Sequence, residues 1–413
     1  MTEAASLSFS TLDPALLADP YPAYARLRKA RPVYWSREDN AWVLSRHAEV
    51  AAVMADPSFA VVELAEVVEG LGHGAGKRLA NLGAVLEAVL FLRNPPAHTD
   101  ARRFLVAVMT CQPMSAHRPV IEEVAASLLG PFIQRGEGDA VADYADLLPP
   151  AFMGRLLGLA ESDVGFLIRT VSEVTKSFDR GRSMRFYERV DGTVAIARSV
   201  FRDAIVERRR RPRDDGLSRM IQLSDDRFHL GDDEIASRAL FLLIAGVETT
   251  SALIASAIRV LLEHPVAAER CRRTPSLVDA AVEEVVRYDG PVQQATRIAT
   301  EACTIAGQPV AKGDRVVLLV GAAHRDPAVY TDPDRFDMGR TGPGHLGFGA
   351  GLHHCIGASL ARLETSIALS ALLVLRPSPI DYQPLLRWDH RTLRRLKSFP
   401  VSLDKPCMSG SIA

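Results

Sequence analysis

The segment Phe348-Gly349-Ala350-Gly351-Leu352-His353-His354-Cys355-Ile356-Gly357 sets a cysteine in a frame of glycines. Gly349, Gly351 and Gly357 permit backbone turns closed to other residues and let the chain approach a flat ligand closely. Cys355 precedes a helix-like segment, Ala358 to Leu375, whose first amides would favour a thiolate over a thiol. A free cysteine more often serves as a small buried hydrophobe. Here the glycine frame, Phe348 and the neighbouring His353 favour a working sulfur instead.

A second unusual spot is Ala245-Gly246-Val247-Glu248-Thr249-Thr250. It falls inside an apolar helix expected from Asp232 to about Glu263, ending before Pro265. At 1.5 Å per residue such a helix is roughly 45 Å long, enough to cross the whole molecule. Asp232, Asp233 and Glu234 place negative charge where the helix dipole favours it. Leu240 to Ala245 is apolar on every side, which marks a buried helix. A buried carboxylate is costly unless paired or functional, and a central glycine costs about 1 kcal/mol relative to alanine. Two local rules are broken at one place, as happens at functional sites.

The elements around these spots read as mainly helical, since Ala, Leu, Arg and Glu recur with helical spacing. Val33 to Trp35 and Ala41 to Ser45, separated by Glu38-Asp39-Asn40, form an expected hairpin. Further short strands are expected at Cys303 to Ile305 and Arg315 to Val320, and a small sheet within Thr392 to Leu403. No repeat or low-complexity linker interrupts the chain. A single domain over residues 1–413 is expected, with 1–18 and 404–413 as peripheral tails.

The glycine-framed loop resembles the haem-binding loop of cytochromes P-450, and other marks of that family follow in order from about Asp19 to Leu403. The resemblance implies a mainly α fold with small β sheets, the triangular prism of that family. It makes Cys355 the axial ligand of the iron in haem b (iron protoporphyrin IX), where a thiolate favours O–O cleavage over oxygen carriage. Phe348 and Gly349 would pack beside the sulfur and the porphyrin, and Ala245 and Gly246 would leave room for oxygen. Glu248 and Thr249 match the family's acid–alcohol pair, which relays protons to bound oxygen. Bonding of a helix hydroxyl to its own backbone fits Thr250 better than Thr249. His98 and Arg102, four apart on one helix face, would bind haem propionates together with Arg297 and His353. Glu284 and Arg287, three apart, would form a buried structural pair joined by either Arg335 or Arg340. His324 stands where many relatives carry asparagine and receives no role.

The resemblance also places substrate over the distal haem face. The expected walls are the loop from Val61 to Phe91 (with Leu86, Val89, Leu90 and Phe91), the distal helix, Val292, Gln293, Ala295, Thr392 and Leu393. Mostly apolar walls imply a small hydrophobic substrate, such as a specialised metabolite. Dioxygen would be the co-substrate, and a ferredoxin with its ferredoxin reductase would supply electrons, since little chain follows Leu403. Three activities fit the resemblance: oxygen insertion, radical coupling or desaturation by the same oxidant, and non-enzymatic haem sensing or electron carriage. The Glu248–Thr249 pair disfavours the last.

Bulk properties bound these expectations. The chain has 413 residues, 47% hydrophobic, and a formal net charge of -1, which disfavours nucleic acid as a partner. The run Arg208 to Arg211 lies among acidic residues and reads as a solvated helix end. Five well-separated cysteines without a leader-like start point to the reducing cytoplasm. The uncharged run between Arg238 and Glu248 is nine residues, too short for a bilayer, so no membrane partner is expected.

Overall fold

The computed structural model describes residues 8–63, 74–178, 182–380, 388–389 and 393–403. Helices dominate it, with strands confined to small sheets. The long helix forms as Asp232–Glu263. Its start is fixed by the Glu234 carboxylate, which accepts a hydrogen bond from the Gly231 amide at 3.1 Å. Its end precedes Pro265, which opens the next helix, Pro265–Arg273. Helices Leu148–Leu157, Met184–Arg210, Leu277–Asp289 and Ala358–Leu373 pack around it. By length and composition this helix could cross a membrane. The nine-residue uncharged run therefore does not exclude a span; what opposes one is that neighbouring helices already cover most of the apolar stretch.

The hairpin is present as Val33–Ser36 paired with Ala41–Leu44, Val33 opposite Leu44. It edges a five-stranded sheet that continues through Arg315–Leu318 and Ala295–Ala299 to Phe59–Ala60. Three details differ from expectation. Arg315–Leu318 stops short of Val320 because Val320–Ala323 turns into a helical segment. Cys303–Ile305 pairs with a strand not foreseen, Gln308–Val310, through Ala306 and Gly307, both at positive φ. The segment to Leu403 does not make one sheet. Arg395–Leu396 pairs with Trp388–Asp389, whereas Pro400–Leu403 joins Glu137–Asp139 and Pro377–Pro379.

The basic run is not simply solvated. Arg208 is 3% exposed and donates to Asp215 and to the Gly158 carbonyl, while Arg209 pairs with Asp225 and Asp232. Another charged knot ties distant chain segments together. The buried Asp289 carboxylate, at the end of Leu277–Asp289, accepts from Tyr21, Arg259 and Arg394. Burial alone would raise its pKa, but Arg394 and Arg259 hold it well below the usual carboxylate range.

Candidate functional site

Cys355 sits between the loop and helix Ala358–Leu373. Its amide donates to the Phe348 carbonyl at 2.8 Å, closing the loop on itself. Two of the three framing glycines have the left-handed backbone expected of them, Gly349 at φ 75° and Gly351 at φ 62°. A Cβ on Gly351 would also lie 3.0 Å from the Ala55 Cα, on helix His47–Ala55. Gly357 differs: its φ of -90° is open to any residue. It serves through its backbone, which hydrogen-bonds the sulfur of Cys355. Burial pushes the thiol pKa up, against the pull of that bond and of the Arg102 and Arg362 charges. The residue is nonetheless exposed, so its sulfur lines an open recess within the protein rather than packed core.

The loop is held from outside by residues that the sequence did not single out. The Leu346 amide donates to His324 Nε2 at 2.8 Å, so His324, given no role above, is the acceptor that fixes the start of the loop. Burial lowers the pKa of His324 well below the usual value, which keeps the ring neutral and the acceptor available. Arg362 stacks 4.3 Å from the centre of the Phe348 ring while pairing with Glu283, to which His345 also bonds. The sequence signal for these was weak, since each meets its partner across a long stretch of chain.

His98, Arg102, Arg297 and His353 do come together. His98 and Arg102 lie on helix Ala97–Thr110, and the rings of His98 and His353 are 4.5 Å apart. Both ring nitrogens of His98 are buried without a hydrogen-bond partner among the described residues. Burial draws the His353 pKa down to about 3, and the nearby Arg297, His98 and Arg102 add to that. No carboxylate of the described residues pairs with any of these four groups. The two guanidinium charges lack a counter-anion; burial and those charges hold both histidines towards the neutral form until an anion joins them. The cluster suits a ligand that carries carboxylates, placed where Arg102 also feels the Cys355 sulfur.

On the long helix, every residue from Ala239 to Leu261 is buried except Ala245, Gly246 and Thr249. Positions 245, 246 and 249 share one face, so the helix opens onto space where the sequence breaks its local rules. Thr249 Oγ1 donates to the Ala245 carbonyl at 2.8 Å. This corrects the expectation that Thr250 makes that bond; the hydroxyl facing the opening is the one tied to its own helix. Its lone pairs stay free to accept. Glu248 is buried, with Oε1 at 3.4 Å from Arg395 Nη1.

Glu284 and Arg287, both buried, are joined by two hydrogen bonds of 2.8 Å. The open choice resolves to Arg340, whose Nε donates to Glu284 at 3.1 Å; Arg335 contributes only its carbonyl. Replacing Glu284 with glutamine leaves two guanidinium groups short of their anion. It should destabilise the protein by about 3–5 kcal/mol in denaturant unfolding, whereas Arg335→Ala should change little.

The expected apolar walls are partly rearranged. The stretch before His98 is no plain loop, as Ala80–Leu86 and Leu90–Leu92 are helical and Leu86, Val89 and Leu90 are buried. Phe91 is 46% exposed and packs edge-on against Phe178. Val292 forms a β-bridge with Leu393, which sets those two walls side by side, and Ala295 begins the adjacent strand. Gln293 faces the other way. It is buried and donates to the Gly290 carbonyl, so it braces the fold rather than a ligand. Thr392 and residues 64–73 lie outside the described residues.

Comparison with known proteins agrees with this geometry. The family model for cytochrome P450 matches residues 172–274 and 276–375. The chain is 31% identical to the biotin biosynthesis cytochrome P450 of Bacillus subtilis, over 97% of this chain and 100% of the relative. It is 34% identical to the cyclomarin C epoxidase CymV of Salinispora arenicola, over 86% of this chain and 90% of that one. The crystal structure of P450BioI, in complex with acyl carrier protein ligated to hexadec-9Z-enoic acid, superposes with a TM-score of 0.86. It is 31% identical, over 94% of this chain and 100% of that one. With a cysteine loop, an opened long helix and full-length relatives of one kind, the chain belongs to the cytochrome P450 family of haem-dependent oxidoreductases.

Proposed function

We propose that residues 1–413 act as one haem b monooxygenase domain that oxidises a hydrophobic small molecule, a specialised metabolite, in the cytoplasm. The observation that carries this reading is the set of His98, Arg102, Arg297 and His353, clustered without a counter-anion beside Cys355. Two propionates of haem b are the anions these groups would hold, and Cys355 would bind its iron. When bound, haem supplies the oxygen-activating chemistry. The protein's own residues do the rest. Phe348 and Gly349 shape the loop that presents the sulfur, and the Gly357 amide bonds to it. Ala245 and Gly246 keep the helix face clear for dioxygen, and Glu248 and Thr249 move protons to that face. Leu86, Leu90, Val292, Ala295 and Leu393 would form an apolar lining that excludes water and favours a hydrophobic ligand, whereas Val89, fully covered, packs in the core behind it.

That a relative bears the name of an epoxidase of cyclomarin C supports a natural product as substrate. The decisive experiment titrates candidate hydrophobic compounds against the haem absorption band, then follows the best binder under labelled dioxygen. One labelled oxygen atom in the product supports the reading. An oxidised product without label would replace it with coupling or desaturation by the same oxidant.

Members of this family take electrons from protein partners, and a ferredoxin with its reductase is the proposed source here. The protein with nicotinamide cofactor alone should show no turnover, and addition of both partners should start it. Robust turnover without them, and without peroxide, would contradict this.

A further inference from the structure

One carboxylate holds both flanks of the cysteine loop. Glu283, on Leu277–Asp289, bonds to Arg362 on the helix that follows the loop and to His345 on the segment that precedes it. The Arg362 contact is a fork, Nε to Oε1 at 2.5 Å and Nη2 to Oε2 at 3.1 Å. His345 Nδ1 accepts from the Gly347 amide at 3.3 Å, so the ring hydrogen sits on Nε2 and is donated to Glu283 Oε2 at 3.1 Å. Burial would raise the Glu283 pKa, but His345 and Arg362 hold it down at about 2, so it is a carboxylate at neutral pH. The adjacent Glu284 grips Arg287 and Arg340, which fixes the helix that carries Glu283.

Arg362 is the partner with consequences. Its guanidinium lies 4.3 Å from the centre of the Phe348 ring, within cation–π range, and its charge reaches the Cys355 sulfur. Arg102 reaches that sulfur too, but it belongs to the group placed for propionates. Among the described residues, Glu283 is the carboxylate that Arg362 pairs with, and the arginine side chain is 36% exposed. A long side chain that reaches water gains rotamers once its anchor is removed, so packing alone does not fix the guanidinium. The fork does, because two parallel bonds to one carboxylate set both distance and plane. His345 completes the frame, with its ring 5.6 Å from that of Phe348.

We propose that Glu283 is a positioning residue: it holds the Arg362 guanidinium over Phe348 and within reach of the Cys355 sulfur, and so sets how strongly that sulfur donates to the iron. This rests on the reading of Cys355 as the iron's ligand. A fixed cation beside a thiolate draws on its electrons, which weakens donation and makes the iron easier to reduce. Released into water, the same cation would be screened and its effect on the sulfur lost. The sign of the effect separates holding from mere neutralisation. If Glu283 only cancelled the arginine's charge, removing it would expose the sulfur to a bare cation and make reduction easier. If Glu283 holds the arginine in place, removing it makes reduction harder.

The test measures the reduction potential of haem-loaded protein and the infrared C–O stretch of its reduced form under carbon monoxide, neither of which requires turnover. Both are read only from protein that shows the red-shifted Soret band, so misfolded material does not contribute. Arg362→Met should lower the equilibrium constant for reduction about tenfold, which is 59 mV for a one-electron couple. Glu283→Ala should lower it by most of that amount, and the double variant should fall no further than Arg362→Met alone. The C–O stretch should move to lower frequency in all three, since a sulfur that donates more strengthens back-donation into the gas. A higher potential in Glu283→Ala, additive shifts in the double variant, or no shift in either single variant would overturn the inference and leave the reading of Cys355 standing. Absence of the red-shifted band from the wild type would remove that reading, and this inference with it.

Discussion

Reduced wild-type protein under carbon monoxide should show a strongly red-shifted Soret band, and protein carrying Cys355→His should lose it. That band reports a thiolate bound to the iron, so an imidazole ligand would not reproduce it. The loop should survive the change, because the hydrogen bond that closes it uses the Cys355 amide and not the sulfur. Without the ligand, the sulfur is balanced between burial, which favours the neutral thiol, and the Gly357 bond with two arginines, which favour the anion. Metal coordination decides that balance, since a coordinating thiol is deprotonated outright. Loss of the band with haem retained is the expected outcome. Its persistence in the histidine variant would remove Cys355 from the site and leave the glycine-framed loop without a function.

Thr249→Ala should keep haem and substrate binding but divert electrons from product into hydrogen peroxide. Thr249 is the one hydroxyl on the opened helix face, and removing a proton-relay group typically costs about a hundredfold or more in the chemical step. Supplying hydrogen peroxide directly should restore part of the activity. The comparison is product formed per nicotinamide consumed, with Thr250→Ala as control because Thr250 is buried on another face. The Ala245 carbonyl adds a structural consequence: it loses its side-chain donor in the variant, so a small change in helix geometry should accompany the chemical one. Equal coupling in all three proteins would make the motif structural.

Much of this arrangement was legible in the sequence because it breaks local rules. A glycine and a glutamate in the middle of an apolar helix, and a cysteine among glycines, are visible without any partner. The hairpin and the bounds of the long helix follow from periodicity, a tight turn and Pro265. What stayed hidden depends on contacts between distant segments. Arg340 and Arg335 are equally plausible partners of Glu284 by spacing, and only the turn at residues 335–340 decides which side chain points inward. Gln293 has the type and position of a ligand-binding residue, but the direction of its side chain is set by Gly290 and Tyr21. His324 acts through a bond to a backbone amide 22 residues away, which no local pattern reports. Arg395 and Asp146 lie 249 positions apart and meet only because the final strands fold back on Glu137–Asp139.

The Asp289 knot has a mechanical consequence. Its three partners come from residue 21, from the long helix and from residue 394, so an early and a late segment of the chain are moored to one buried carboxylate. Tension from the C-terminal side would first strip Pro400–Leu403 from Glu137–Asp139 and Pro377–Pro379 and then be borne there. From that point the protein should resist as one body up to a threshold and then yield abruptly, like a rope made fast to a cleat.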